Sequence, residues 1–125
     1  MTTQWVITLP YPKPPLTLND RTPWQAKARI TRRLRTETAV LARHHKLPTG
    51  LTHVTVQLVY TPATNRRRDT DNVATTLKPV CDGLVDYGLV PDDTPDHMTR
   101  PEPVITTPDR AKAGVRVIIT TEETL

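Results

Sequence analysis

The sequence contains no phenylalanine and a single cysteine. One thiol excludes an internal disulfide and any zinc site built from several thiolates, so we expect Cys81 to be a small buried residue. With few aromatic residues the core must be mainly aliphatic, and we expect Trp5 and Trp24 to belong to it. No apolar run approaches the ~20 residues of a membrane-spanning helix. The first residues lack the charged and apolar regions of a signal peptide, which predicts a cytoplasmic protein.

Proline, by contrast, is abundant. Nine of the thirteen prolines cluster in residues 10–15, 91–95 and 101–108, where they indicate loops and extended segments because proline fixes φ and lacks a backbone donor. The remaining sequence is long enough for one hydrophobic core. A chain of 125 residues therefore predicts a single domain over residues 1–125.

The net charge of +4 is unevenly distributed along the chain. Residues 21–46 contain eight lysines or arginines and one acid, whereas residues 82–109 contain seven acids and one base. This separation suits a protein that binds phosphates in one place and cations in another. An equally good reading on charge alone is that both segments are solvated surface.

The first half of the chain predicts a strand, a helix and a second strand. Residues 5–9 alternate as a half-buried strand does. Residues 23–46 follow a helical period, with Thr22 as the N-cap and Pro23 at the first helical position. Residues 52–61 are the clearest strand, with apolar side chains on one face and polar ones on the other.

A second helix is predicted after the polar loop that follows this strand. Asp71 or Asn72 would cap it, and it would end near Tyr87. Pro79 lies inside the pattern, so we expect either a kink there or a late start of the helix.

Two further strands are predicted near the end of the chain. They comprise residues 104–107 and 115–121, with a turn at residues 112–114 between them. The order of strand, helix, strand, helix and two strands favours an α/β fold of the α+β type, with one mixed sheet covered by helices.

The residues with the strongest chemical implication lie between positions 65 and 98. Asp69 and Asp71 are two residues apart and would point the same way if that segment is extended. Carboxylates held close repel each other, and a hard dication such as Mg²⁺, which prefers oxygen ligands, relieves that repulsion. Asp92 and Asp93 follow the second helix and a turn at Gly88, which can return them to the first pair.

Each acidic motif alone has a simpler structural explanation. Asp71 and Asn72 before a helix are most often caps, and Asp92 and Asp93 between prolines most often form a turn. An EF-hand is excluded, because Ala74 and Val80 stand where its loop needs glycine and glutamate.

Taken together, the motifs resemble a known family. The sequence reads Arg-Asp-x-Asp-Asn, then Lys-x-x-x-Asp-Gly-Leu, then Gly-x-x-x-Asp-Asp, which resembles the RusA-type endodeoxyribonucleases, the Holliday-junction resolvases of bacteria and phages. The matching residues are Arg68, Asp69, Asp71, Asn72, Lys78, Asp82, Gly83, Leu84, Gly88, Asp92 and Asp93. The first strand, the proline-rich segment and Leu18-Asn19 before a basic helix also resemble the opening of the family, so the likeness covers most of the chain.

The resemblance implies a homodimer that resolves four-way DNA junctions in recombination and repair by nicking two strands symmetrically. Each subunit would hold Mg²⁺, with Mn²⁺ as a candidate substitute. Asp69, Asp71 and Asp93 would be the catalytic carboxylates, and Asp92 is a near-equal candidate for the third ligand. Lys78 matches the functional lysine of the family, although it follows Asp71 by three residues more than in the best-known members.

Basic residues supply the expected DNA contacts. Those on the first helix would follow the phosphate backbone without reading sequence. The expected DNA-binding residues are Lys27, Arg29, Arg32, Arg33, Arg66, Arg67 and Arg68. The last three replace the aromatic residues that the best-known members carry before the acidic motif.

Two other functions remain open at this point. One is a DNA-binding module without activity, and the other is a metal-dependent nuclease for flaps or RNA. For a dimer interface, the candidates are the final strand and the turn around residues 101–108.

Overall fold

The described residues build one mixed five-stranded sheet and two long helices. The computed structural model describes the backbone of residues 2–16, 23–64 and 70–125, and their side chains except those of residues 70–72. The elements are β1 (Thr3–Thr8), α1 (Trp24–His44), β2 (Val54–Thr61), α2 (Thr70–Tyr87), β3 (Met98–Thr99), β4 (Val104–Ile105) and β5 (Gly114–Thr121), with a 3-10 turn at Arg110–Lys112 before β5. The predicted α+β fold is confirmed.

The sheet has the order β1-β5-β2-β3, with β4 also paired to β2. β5 runs antiparallel to β1 on one side and to β2 on the other. The short strands β3 and β4 run parallel to β2. A parallel return requires a crossover, and α2 provides it between β2 and β3.

This topology bears on two expectations about the end of the chain. β4 and β5 lie on opposite sides of β2, so the turn near residues 112–114 does not join them as a hairpin. β5 is an interior strand with both edges hydrogen-bonded within the chain, so it is not a free edge for a dimer partner. The sequence did not predict β3, because two residues are too few to show an alternation.

One face of the sheet forms the core. Val54, Val56 and Leu58 of β2 are fully buried, as their alternation predicted. On the opposite face, Val59 and Thr61 at the end of β2 are buried, but other residues are half-buried, such as Ile118 of β5, or exposed, such as Val6 of β1, which is 47% exposed. The helices therefore cover one face of the sheet and leave the other open. None of the helices in the described ranges has the length and apolar character required to cross a membrane.

Helix α1 begins at Trp24, one residue later than predicted, with Pro23 as its N-cap residue. The proposed cap Thr22 lies outside the described residues. The buried positions of α1 are Leu34, Thr38 and Ala42, so its first turn extends beyond the part that the core covers. Trp24 is consequently 74% exposed, and the expectation that it belongs to the core is wrong.

Helix α2 begins at Thr70. Asp71 and Asn72 therefore lie in its first turn rather than at its cap, and the predicted capping role is wrong for both. The helix also runs through Pro79, so the alternative of a late start is wrong.

The two helices touch at Gly83. A Cβ atom added there would lie 2.4 Å from the carbonyl oxygen of Arg35 and 2.8 Å from Cβ of Thr38, both on α1. Nearer the ends of the helices, the hydroxyl of Tyr87 donates a hydrogen bond to the carbonyl oxygen of Leu47, just after α1. Residues later in α1 contact residues later in α2, so the two helices run in the same general direction. Their N-termini therefore lie toward the same end of the molecule.

Replacing Gly83 with alanine tests this contact. Helix propensity alone predicts a gain of about 1 kcal/mol, whereas overpacking against the backbone of α1 predicts a loss of about 1–3 kcal/mol or more. We expect the loss in the free energy of unfolding, measured by chemical denaturation.

The matched control is Gly50→Ala, which has open space around the new methyl group but a φ of +73°. It should lose about 1–2 kcal/mol from backbone strain alone. A Gly83→Ala variant that is more stable than the parent protein would contradict the close approach of the helices.

Candidate functional site

The ammonium group of Lys78 joins two carboxylates. Its Nζ lies 2.6 Å from Oδ2 of Asp93 and 2.8 Å from Oδ1 of Asp82. Asp82 is one helical turn further along α2, whereas Asp93 comes from the turn after the helix. The second and third sequence motifs therefore meet at one lysine. Asp82 follows Lys78 by four residues, a spacing at which helical side chains can pair, and the structure contains that pair.

The turn that carries Asp92 and Asp93 gives its two carboxylates different surroundings. Oδ1 of Asp92 accepts a hydrogen bond of 2.8 Å from the backbone N–H of Asp93, and Asp92 is exposed. The side chain of Asp93 is only 18% exposed and has Arg100 at 3.7 Å as a second cation. Asp92 thus shapes the turn, and Asp93 faces α2.

Electrostatics keep Asp93 ionised. The hydrogen bond from Lys78 is the largest cause that lowers the pKa of Asp93, and the charges of Lys78 and Arg100 act in the same direction. Hydrogen bonds to Asp82 and Asp93 in turn raise the pKa of Lys78. Near neutral pH the cluster is therefore an ammonium shared by two carboxylates.

Arg35 of α1 fixes the acidic face of α2 from the neighbouring helix. Its guanidinium donates to both oxygens of Asp86, at 2.5 and 2.7 Å, and lies 4.0 Å from Asp82. A bidentate pair of this kind restricts orientation as well as adding attraction. The sequence analysis assigned Arg35 no partner within the protein. The four-residue spacing of Asp82 and Asp86 was the available signal for a partner between them.

Cys81 lies beneath this polar surface. It is fully buried, as predicted. Burial raises the pKa of its thiol to about 12. A thiolate is the reactive and metal-binding form of cysteine, so this residue fills space.

Several predicted site residues are not located by the structure. Asp69, Arg66, Arg67 and Arg68 lie outside the described residues, as do Leu18 and Asn19.

The backbone of Asp71 is helical, so the condition under which Asp69 and Asp71 would point the same way, an extended segment, is not met at Asp71. By helix geometry, the seven residues from Asp71 to Lys78 bring both positions to nearly the same face of α2, about 10 Å apart along the axis.

The predicted DNA-binding residues of α1 are distributed over its surface. Arg29, Arg32 and Arg33 are exposed and Lys27 is half-buried. Arg33 forms an ion pair of 3.2 Å with Glu37, so part of its charge is offset within the helix. Arg29 and Arg33 line a shallow groove of about 300 Å³ with Ala26 and Ile30.

The described side chains offer a partial set of ligands for a divalent cation. In the described ranges, no three histidine, cysteine, aspartate or glutamate residues come together as a metal site. Asp82 and Asp93 nevertheless both pair with the ammonium group of Lys78. Mg²⁺ commonly uses only one or two carboxylates with several waters. Carboxylate oxygens are the donors that Mg²⁺ prefers, and Asp93, paired with Lys78 through Oδ2, is the described member of the expected ligand set.

Comparison of the chain with protein-family models and with curated proteins found no match.

Replacing Lys78 with methionine tests the electrostatic arrangement. The pKa of Asp93 should rise toward its usual value of 3.8, because the main donor to its carboxylate is lost. Carbon-13 NMR titration of the side-chain carboxyl group measures this directly. Lys46→Met, just beyond the C-terminal end of α1, is the control and should leave that pKa unchanged.

The sign of the accompanying stability change follows from linkage. Because the pKa of Asp93 is lowered in the folded protein, its carboxylate stabilises the fold at pH values above the pKa of the unfolded state. This contribution is lost as the pH falls through the pKa of the folded state. The difference in unfolding free energy between the parent and Lys78→Met should therefore shrink in acid. An Asp93 that titrates identically in both proteins would contradict the pairing.

Proposed function

We propose that this chain is a RusA-type endodeoxyribonuclease, an Mg²⁺-dependent enzyme that nicks four-way DNA junctions symmetrically as a homodimer. The observation that carries the proposal is the meeting of Lys78 with Asp93, fifteen residues apart, which joins two of the three motifs at one polar surface. If the acids served only as helix caps and turn residues, Lys78 and Asp93 would have no need to pair.

The proposed chemistry needs a cation and a positioned phosphate. Asp71 and Asp93 would hold Mg²⁺, with Asp69 as a further ligand, and a bound ion would supply an activated water and offset charge on the phosphoryl group. The side chain of Lys78 is 60% exposed, so it is accessible to a phosphate oxygen. In that role it would offset negative charge beside the scissile bond.

Between the two neighbouring acids, we favour Asp93 as the ligand. Its carboxylate faces Lys78 and α2, whereas one oxygen of Asp92 is engaged with the backbone of the turn. Asp82 is better explained as a positioning residue, because it is paired with Lys78 and lies near Arg35.

The basic part of α1 supports the proposed substrate. The N-termini of α1 and α2 lie toward the same end of the molecule, so Lys27, Arg29 and Arg32 are on the side where α2 begins. Cations there would position a phosphate backbone without selecting sequence. A four-way junction has two equivalent strands to cut, which a two-fold dimer matches.

The activity is tested by incubating the purified protein with a synthetic four-way junction and Mg²⁺. Asp93→Asn should lose at least about 100-fold in nicking rate, because an amide is a poor ligand for Mg²⁺, while junction binding persists. Asp71→Asn should behave in the same way. The matched control is Asp96→Asn, an exposed acid in the same turn, which should cleave normally.

The substrates in the same assay separate the proposed activity from its rivals. Preference for flaps or RNA over the junction would favour a different nuclease, and binding without any cleavage would favour a DNA-binding module. Normal cleavage by Asp93→Asn would defeat the assignment of the site.

DNA binding by α1 is tested separately, using Trp24 as the reporter. Trp24 is exposed beside the basic residues, whereas Trp5 is partly buried against the core. Junction DNA should quench the emission of Trp24. The double variant Arg29→Gln and Arg32→Gln should weaken binding. The slope of the logarithm of the binding constant against the logarithm of the salt concentration should fall by about one to two, because one to two phosphate contacts are lost.

The control for this experiment is Arg43→Gln at the other end of the same helix. It removes an exposed charge but lies about 20 Å along the axis from Arg29. Equal weakening by Arg43→Gln would mean that α1 attracts DNA by net charge alone.

A further inference from the structure

A second pocket lies on the open face of the sheet, away from the acidic cluster. Its volume is about 300 Å³, and its lining residues are Thr8, Ala111, Lys112, Ala113, Gly114 and Arg116. Two of these side chains are cationic, one is a hydroxyl and none is a carboxylate. The lining therefore has the chemistry of an anion site.

The fold places these groups together. Thr8 is the last residue of β1 and lies directly opposite Arg116 of β5 in the sheet register. Lys112 ends the 3-10 turn, which the side chain of Asp109 stabilises by accepting a hydrogen bond of 3.0 Å from the N–H of Ala111. At Gly114 the φ of +146° and the carbonyl oxygen of Tyr11, 3.3 Å from a would-be Cβ, favour glycine.

Arg116 has donor capacity that the protein does not use. Its Nη2 donates a hydrogen bond of 3.2 Å to Oγ1 of Thr61. This neutral hydroxyl already accepts a hydrogen bond from Oγ1 of Thr106. Its Nε is buried and has no hydrogen-bond partner within the described part of the chain. A buried donor without an acceptor is costly, so an incoming acceptor would be favoured at this guanidinium.

We propose that this pocket binds a tetrahedral oxyanion of the phosphate class. Nε and an Nη of arginine form a fork that matches two oxygens of such an anion. For this contact the side chain of Arg116, which lines the pocket, must turn until Nε faces the anion. Lys112 adds a point charge and Thr8 a hydroxyl donor. The inference does not depend on the proposed nuclease activity.

The test is a nitrogen-15 NMR titration of the whole chain with inorganic phosphate. Resonances of the Gly114 amide and the Arg116 Nε–H group should shift together and saturate. Arg116→Gln and Lys112→Gln should each raise the dissociation constant about tenfold, since each removes one charge-assisted contact. Lys112 lies on an exposed turn, so its replacement leaves the sheet intact.

The matched control is Arg110→Gln, an exposed cation in the same turn that does not line the pocket. It should change the dissociation constant by less than about twofold. Equal weakening by this variant, shifts spread over the basic residues of α1, or no saturating shift at Arg116 would each overturn the proposal.

A second titration, with a short DNA duplex, identifies the source of the phosphate. Shifts at the same two groups with DNA would assign the pocket to backbone phosphodiesters. Shifts with inorganic phosphate alone would assign it to a free anion.

Discussion

The close approach of α1 and α2 at Gly83 is the contact on which the candidate site depends. Because no side chain separates the helices there, the backbone of α1 lies against α2 and brings Arg35 within reach of Asp82 and Asp86. That contact sets the rotation of α2 about its axis. The rotation in turn decides that Lys78 faces the turn carrying Asp93 rather than the core. Gly83 of the second motif thus has a packing role, whereas Lys78 and Asp82 of the same motif form the polar contacts.

The ion pairs of the cluster have a different purpose from the core. Lys78 is largely exposed, and exposed ion pairs contribute little to stability because water already solvates the charges. Their geometric effect is larger. Lys78 and Arg100 keep Asp93 ionised and hold it at the surface of α2. A site of this kind is held in place by packing beneath it, at Cys81 and Gly83, and is organised by charge above it.

The sequence predicted those parts of the fold that have a clear period. The alternation of β2 and the long amphipathic stretch of α1 were recognised because burial repeats along each element. The strand β3 and the interior position of β5 depend on long-range pairing, which leaves no local pattern. Trp24 was misplaced because residue type suggests burial, whereas its exposure depends on where the core ends along α1.

For the site, the expected meeting of Asp69 and Asp71 with Asp93 concerns side chains outside the described part of the chain and stays a prediction. The spacing of acids and lysine brought Lys78, Asp82 and Asp93 into consideration, and the structure joins all three. The choice between Asp92 and Asp93 depends on one backbone hydrogen bond, which no motif records. Arg35 comes from another helix, so only the packing at Gly83 reveals its contact with the acids of α2.

The central claim is that the acids around α2 share a divalent cation. Titrating nitrogen-15-labelled protein with Mn²⁺ tests it most directly, because this paramagnetic ion broadens the resonances of nearby nuclei. We expect the amides of Asp71, Lys78 and Asp93 to broaden first, at low Mn²⁺, and to recover when Mg²⁺ is added in excess. Broadening that is uniform over the chain, or centred elsewhere, would contradict a metal site at α2.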